Sequence, residues 1–192
     1  MRHLHVTLGL IARFRRDVEG IAAVEFALIL PLLLGLYLGA IETATLYTVD
    51  HKVATVASTV ADLVSREKAD IKESTLDNYF EAAASIMQPY STTGLVQTVS
   101  LLNIDADGVA KVSWSAASGT AEGREVDSVY PLDATAKINI LAREASGWLV
   151  VSEIEYPHQP IVGLVITDTI DIRHVEYFLP RFGTEIEFEA GL

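Results

Sequence analysis

The 192-residue chain sets 14 Lys and Arg against 26 Asp and Glu, a formal net charge of -12, and half of its residues are hydrophobic. It has no cysteine, which excludes disulfides, thiolate nucleophiles, cysteine zinc sites and iron-sulfur clusters together. Phosphate backbones and anionic lipid surfaces are held by Lys and Arg, so an acidic chain of this kind is not expected to bind nucleic acid.

The charge is unevenly spread. Arg2, Arg13, Arg15 and Arg16 outweigh Asp17 and Glu19 in the first 20 residues, so the acidic excess lies wholly in residues 21–192. A basic leader ahead of an acidic body predicts a cytoplasmic N-terminus and an exported C-terminal part. Between the two, residues 21–41 carry one charge, Glu25, and no Asn, Gln, Lys or Arg. Twenty-one helical residues at 1.5 Å each span ~30 Å, the thickness of a bilayer hydrocarbon core. Pro31 lies inside this run; its missing N–H frees the carbonyl of Ala27, and a local kink or loosening is expected there.

Three readings compete for the apolar run. A secretory signal has a shorter apolar stretch of ~7 to 15 residues before small residues, and "LGAIETA" around Ala40 supplies such residues. An uncleaved anchor accounts for length and orientation but gives no reason for Glu25. In the third reading, Gly20, Ile21, Ala22, Ala23, Val24 and Glu25 resemble the cleavage site of type IV pilins and pseudopilins. There a basic leader ends in Gly and the apolar helix carries Glu at its fifth position. The resemblance implies cleavage between Gly20 and Ile21 by a prepilin peptidase. The freed amine of Ile21 would then be complemented by the Glu25 carboxylate of a neighbouring subunit, a partner that an intramembrane acid generally needs.

The wider segment extends this likeness. The block "AAVEFALILPLLL", Glu42 in "GAIET" and the Ala- and Val-rich continuation to residue 66 resemble the TadE-like (TadE/TadG) pseudopilins of tight-adherence, or Flp-type, pilus systems. Residues 13–66 carry it closely. Trp114 and Ser115, "EYPHQP" at 155–160 and "YFLPR" at 177–181 carry it more loosely into the exported part. Ile21 departs from the Phe found at that position in many type IV pilins, which puts N-methylation in doubt. The resemblance implies a minor pseudopilin or assembly protein of the inner membrane. Its partners would be the membrane, the prepilin peptidase and other pilus subunits, and it implies neither enzymatic activity nor a cofactor.

Past Ile41 the apolar pattern narrows to a stripe, Leu46, Val49, Val53, Val56, Val60 and Leu63. These spacings of three and four continue the helix into water and suit either partner helices or the chain's own domain. Residues 66–73 are polar and read as a solvated connector. A second helix is expected over 75–87, capped by Ser74 and supported by Asp77, with Leu76, Phe80, Ala83, Ala84 and Met87 on one face and Pro89 as its stop.

Strands come next. "LVQTVSLLNI" and "VAKVSWS" flank "DADG", where Asp107 and Gly108 suggest a type I′ hairpin turn. Residues 117–127 read as a long polar loop, and further strands are expected at 148–156, 169–178 and 184–188, with Pro157 and Pro160 between strands. In "TEIEFE" the acids alternate with Ile186 and Phe188, the mark of a half-exposed strand. The expected fold class is α+β. A leader (1–20), a membrane helix (21–41) and its stalk (42–65) precede the connector and an exported domain (74–192) with a mostly antiparallel sheet and one further helix.

Chemical motifs are sparse. "DADG" lacks the later ligands of a calcium loop, and His51, His158 and His174 have no metal-ligand spacing, His158 reading as an exposed loop residue. There is no Gly-x-Ser-x-Gly elbow and no phosphate-binding glycine loop. The alternative to a pilus component is a membrane-anchored extracytoplasmic binding module.

Overall fold

A computed structural model describes residues 19–105, 107–132, 147–161, 163 and 167–190. The chain divides into two compact units, one of Met1–Ala44 with Ile161–Thr167, the other of Thr45–Pro160 with Asp168–Leu192. The fold is α+β, as expected.

Helix α1 runs over Glu19–Ser65 and passes through Pro31 without ending. In the first unit every residue from Gly20 to Leu34 is exposed, including Val24, Phe26, Leu28, Leu32 and Leu33. These side chains point in all directions around the helix, because consecutive residues lie 100° apart. A helix that is apolar all round is buried in an apolar medium or spans a membrane. This one is long and apolar enough to cross a bilayer.

In the second unit the helix becomes one-sided. Val49, Val53, Val56, Ala57, Val60, Ala61 and Val64 are fully buried, while Tyr47, His51 and Thr55 are exposed. The stripe therefore packs on the chain's own domain, and it continues to Val64 where the sequence pattern pointed to the partly exposed Leu63. Each buried valine contributes ~1.5 kcal/mol or more.

The polar stretch read as a connector holds a strand. β1, Asp70–Lys72, pairs in parallel with β6, Glu187–Glu189. Ile71 is buried between exposed neighbours, so one apolar residue among polar ones secures the segment. Helix α2 then starts earlier than expected, at Glu73, and runs to Ala84 before a 3-10 turn at Ser85–Met87. Lys72, at the N-cap, makes no side-chain cap bond. Ser74 falls inside the first turn because β1 delivers the chain to the helix ahead of it. Leu76, Phe80, Ala83 and Met87 are its buried face.

The main sheet comprises β2 (Val96–Ile104), β3 (Ala110–Ala117), β4 (Trp148–His158) and β5 (Ile170–Phe178), ordered β3-β2-β4-β5 and wholly antiparallel. The turn between β2 and β3 sits one residue earlier than a type I′ turn centred on Asp107-Gly108. Gly108 N–H donates to Asp105 O, and Asp105 Oδ1 accepts from the N–H groups of Asp107 and Val109. An Asp at the start of a turn is thus the organising residue.

β4 is longer than expected and contains Pro157. Its pairing with β2 stops at Val96↔Glu155, whereas its pairing with β5 continues to His158↔Ile170. Only one neighbour flanks Pro157, which is where a strand tolerates a missing donor. Gly94, at φ +80, lies against this proline, and a Cβ there would stand 2.7 Å from Pro157 Cγ. His158, read from sequence as an exposed loop residue, is instead a buried strand residue. Its burial lowers its pKa.

Alternation along the strands sends Val99, Leu101, Val150, Ile154 and Ile172 into the core with α1 and α2. Leu102, Ile104, Val112, Leu149 and Val151 face the other way and are covered by Tyr130. β6 belongs to the parallel pair with β1 rather than to the main sheet.

Candidate functional site

The sequence singles out Gly20, Ile21, Glu25 and Pro31, and the structure places all four on one helix. Gly20 stands in the first turn of α1, Ile21 is 54% exposed, and Glu25 and Pro31 are exposed within the apolar stretch. The Gly20–Ile21 peptide bond thus lies within α1. Glu25 follows Ile21 by four residues on the same face, a rise of ~6 Å. Leader residues 1–18, including its four arginines, lie outside the described residues. Glu42, the second acid in the resemblance, is buried.

What holds the C-terminal half of α1 was not visible in the sequence. Asp50 Oδ1 meets His174 Nε2 of β5 at 2.8 Å. Lys52 Nζ donates to Ile86 O at 2.7 Å and Gln88 O at 2.8 Å, tying α1 to the end of the second helical element. Near the C-terminal end of α1, Asp62 accepts from Arg66 and, at 2.6 Å, from Arg181. The hydrogen bonds from Arg66 and Arg181 hold the Asp62 carboxyl below its usual range. Tyr79 Oη donates to Glu67 at 2.5 Å, which pushes the phenol up to about 12.

The chain's C-terminal segment completes the hold. Arg181 N–H donates to Ser65 O and Glu187 N–H to Ala69 O. Trp114 Nε1 donates to Ile186 O at 2.6 Å, and its ring stacks on Phe188 at 5.2 Å. The partners are separated by up to 124 residues in sequence, so no local pattern could have revealed them.

On the opposite face of the sheet Glu153 has a side chain only 6% exposed, yet it is ionic. Arg124 grips it with two bonds, Nε at 2.5 Å and Nη2 at 2.7 Å, and Arg173 adds a third. Burial by itself raises this carboxyl's pKa, but the Arg124 and Arg173 contacts together outweigh it and leave the pKa lowered. The Arg124 guanidinium also lies 4.6 Å over the Tyr130 ring. Burial, together with the nearby Glu153 charge, raises the Tyr130 phenol's pKa. This group latches the 118–132 loop onto the sheet.

Among the described residues no group of three or more His, Asp or Glu is placed to hold a metal ion. The Asp105 carboxylate of "DADG" is occupied by backbone N–H groups. A surface cavity of about 540 Å³ beside α2 is lined by residues including Phe80, Gly94, Gln97 and Thr120, with Glu81 as its one charged side chain. The geometry thus offers a long helix whose valine-striped half is seated on a folded body.

Residues 20–62 match the family model described as TadE-like protein. The TadE-like segment begins at the glycine of the candidate cleavage site and ends within the last turn of α1. It therefore covers both halves of that helix, the exposed apolar one and the one seated on the sheet. No curated protein and no solved structure matches the chain.

Proposed function

We propose that this protein is a minor pseudopilin or assembly component of a tight-adherence pilus system, anchored in the inner membrane by α1 with its sheet domain exported. The observation that carries the reading is a single 47-residue helix, TadE-like over most of its length, whose two halves differ in what covers them. Its N-terminal half is apolar and exposed on every side. Its C-terminal half is fixed to a domain by a valine stripe and by Asp50, Lys52 and Asp62. Such a helix supports assembly by packing against neighbouring helices in the membrane, while the domain presents a surface beyond it.

In this reading a prepilin peptidase cleaves between Gly20 and Ile21, and Glu25 sets the register of the subunit by pairing with the new amine of a neighbour. A desolvated pair of this kind costs most when mismatched, which favours one axial alignment over others. The test is the N-terminal residue of the membrane-extracted native protein, with and without the peptidase. A start at Ile21 that reverts to the full leader without the enzyme is expected. A start at Met1 in both would leave a plain anchor, and a start just after Ala40 would make the protein a secreted domain.

A further inference from the structure

The two edges of the main sheet differ in what lies beside them. With the order β3-β2-β4-β5, β3 and β5 are the outer strands, and the free backbone groups of an outer strand invite another strand to pair with it. β3 is guarded along its outer side. Asp127 N–H donates to Val112 O at 2.8 Å, Val112 N–H to Ser128 O at 3.0 Å and Tyr130 N–H to Ala110 O at 2.9 Å, with Lys111 bridging to Val129. Further along β3, Arg124 N–H donates to Ser115 Oγ. Gly123 lies so close that a Cβ there would stand 2.6 Å from Ser115 O. This guard is held in place rather than at rest. Asp127 has φ +63, an uncommon and costly value for a residue with a side chain, and the Arg124 fork on Glu153 ties the segment to β4. β5 has no comparable cover. It pairs with β4 at nine consecutive positions, and among the described residues no other backbone group bonds to it.

We propose that residues 123–130 are an autoinhibitory guard that keeps β3 of one copy of this chain from pairing with the open β5 edge of a second copy. The partner follows from the topology. Each step from β3 through β2 and β4 to β5 is antiparallel, so the two outer strands run in opposite directions. A second copy shifted across the sheet therefore brings its β5 antiparallel to β3, with the faces of the two sheets matched. Lys111 and Glu176 then stand on the same face, because the register aligns them with Trp148 and Ser152 of β4. Opposite charges on neighbouring strands favour such a pair. The contact is heterologous, since each copy offers β5 and receives at β3, and its repetition builds an open chain of subunits rather than a closed dimer. Blocking one of the two edges is enough to stop it, which accounts for a guard on β3 alone. Pairing of this kind needs neither a membrane nor a peptidase, so it stands or falls separately from the proposed function.

A reversible lock tests the guard. Lys111 and Val129 form a non-hydrogen-bonded antiparallel pair, because the flanking bonds are donated by Val112 and Tyr130. Side chains lie closest in pairs of this type, within reach of a disulfide, and the chain has no cysteine of its own. The full-length protein in detergent carries Lys111→Cys and Val129→Cys together with Arg124→Ala, which removes the fork. The probe is a fluorescent peptide of the β5 sequence, IDIRHVEYF. The oxidised protein, its guard fixed shut, is expected to stay monomeric and to leave the peptide free. The reduced protein should bind the peptide at least tenfold more tightly, read as fluorescence anisotropy, and should grow in mass with concentration by light scattering. Equal binding by the two forms, equal binding of a scrambled peptide, or binding by neither form overturns the proposal. Where Arg124→Ala does not unfold cooperatively, Arg124→Lys, which keeps the charge and loses the fork, makes the same comparison.

Discussion

Glu153 shows how one buried charge is made tolerable. An isolated carboxylate at that depth would be driven neutral, but three N–H bonds from Arg124 and Arg173 keep it ionised. Because its folded pKa is lowered, the stability it contributes is complete above the unfolded value and lost as pH falls through the folded one. Glu153→Gln should cost about 2 to 3 kcal/mol at neutral pH, below the ~3 to 5 of a fully buried pair because Arg173 remains half-exposed. It should also flatten the loss of stability below about pH 4. Denaturant unfolding of the detergent-solubilised chain across pH checks both. Nothing around Glu153 in the sequence marks it, since "SEIEYP" reads as an alternating strand and its two arginines lie 29 and 20 residues away.

Among the elements, α1 has its two halves specified by different features. The first is apolar at nearly every position, and the second only along a stripe that the sheet covers. Ala57 and Ala61 are fully buried, so small side chains set how closely the helix approaches the strands. Ala57→Leu should therefore destabilise the domain by ~1 to 3 kcal/mol through overpacking, while Thr55→Ala on the exposed face should stay within ~0.5 kcal/mol. Thermal unfolding of the two variants side by side distinguishes them. Equal effects would mean that the stripe is not the buried face. The stripe itself was legible as spacings of three and four, but whether it met its own domain or another helix was not. Periodicity identifies a face without identifying what covers it.

At the level of the whole molecule, the proposed role requires that insertion and assembly be separable. Glu25→Ala removes a charge whose burial in a membrane helix costs ~2.5 to 3.5 kcal/mol at its centre and less near the end. Insertion should therefore be unimpaired or improved. Recovery of sister pilus subunits with the protein should fall ~tenfold, because a subunit amine would lose its desolvated partner. Co-purification from solubilised membranes measures the second effect, and alkaline extraction the first. Unchanged recovery would remove Glu25 from the assembly mechanism.

The sequence by itself determined the apolar run and its lone acid, the continuation of the helix to Ser65, the second helix within a turn and the four long strands within a few residues. These come from periodicity and from Gly and Pro punctuation, which are local. Only the tertiary structure decided that the valine stripe is buried against the protein's own sheet. It also turned the polar 66–73 stretch into one strand of a parallel pair with the C-terminus, carried β4 through Pro157 to a buried His158, and left Glu153 charged between two arginines. Each of these depends on partners far away along the chain. A short or polar segment gains its structure from what it meets, and that meeting is fixed by the packing of the whole domain rather than by the segment's own residues.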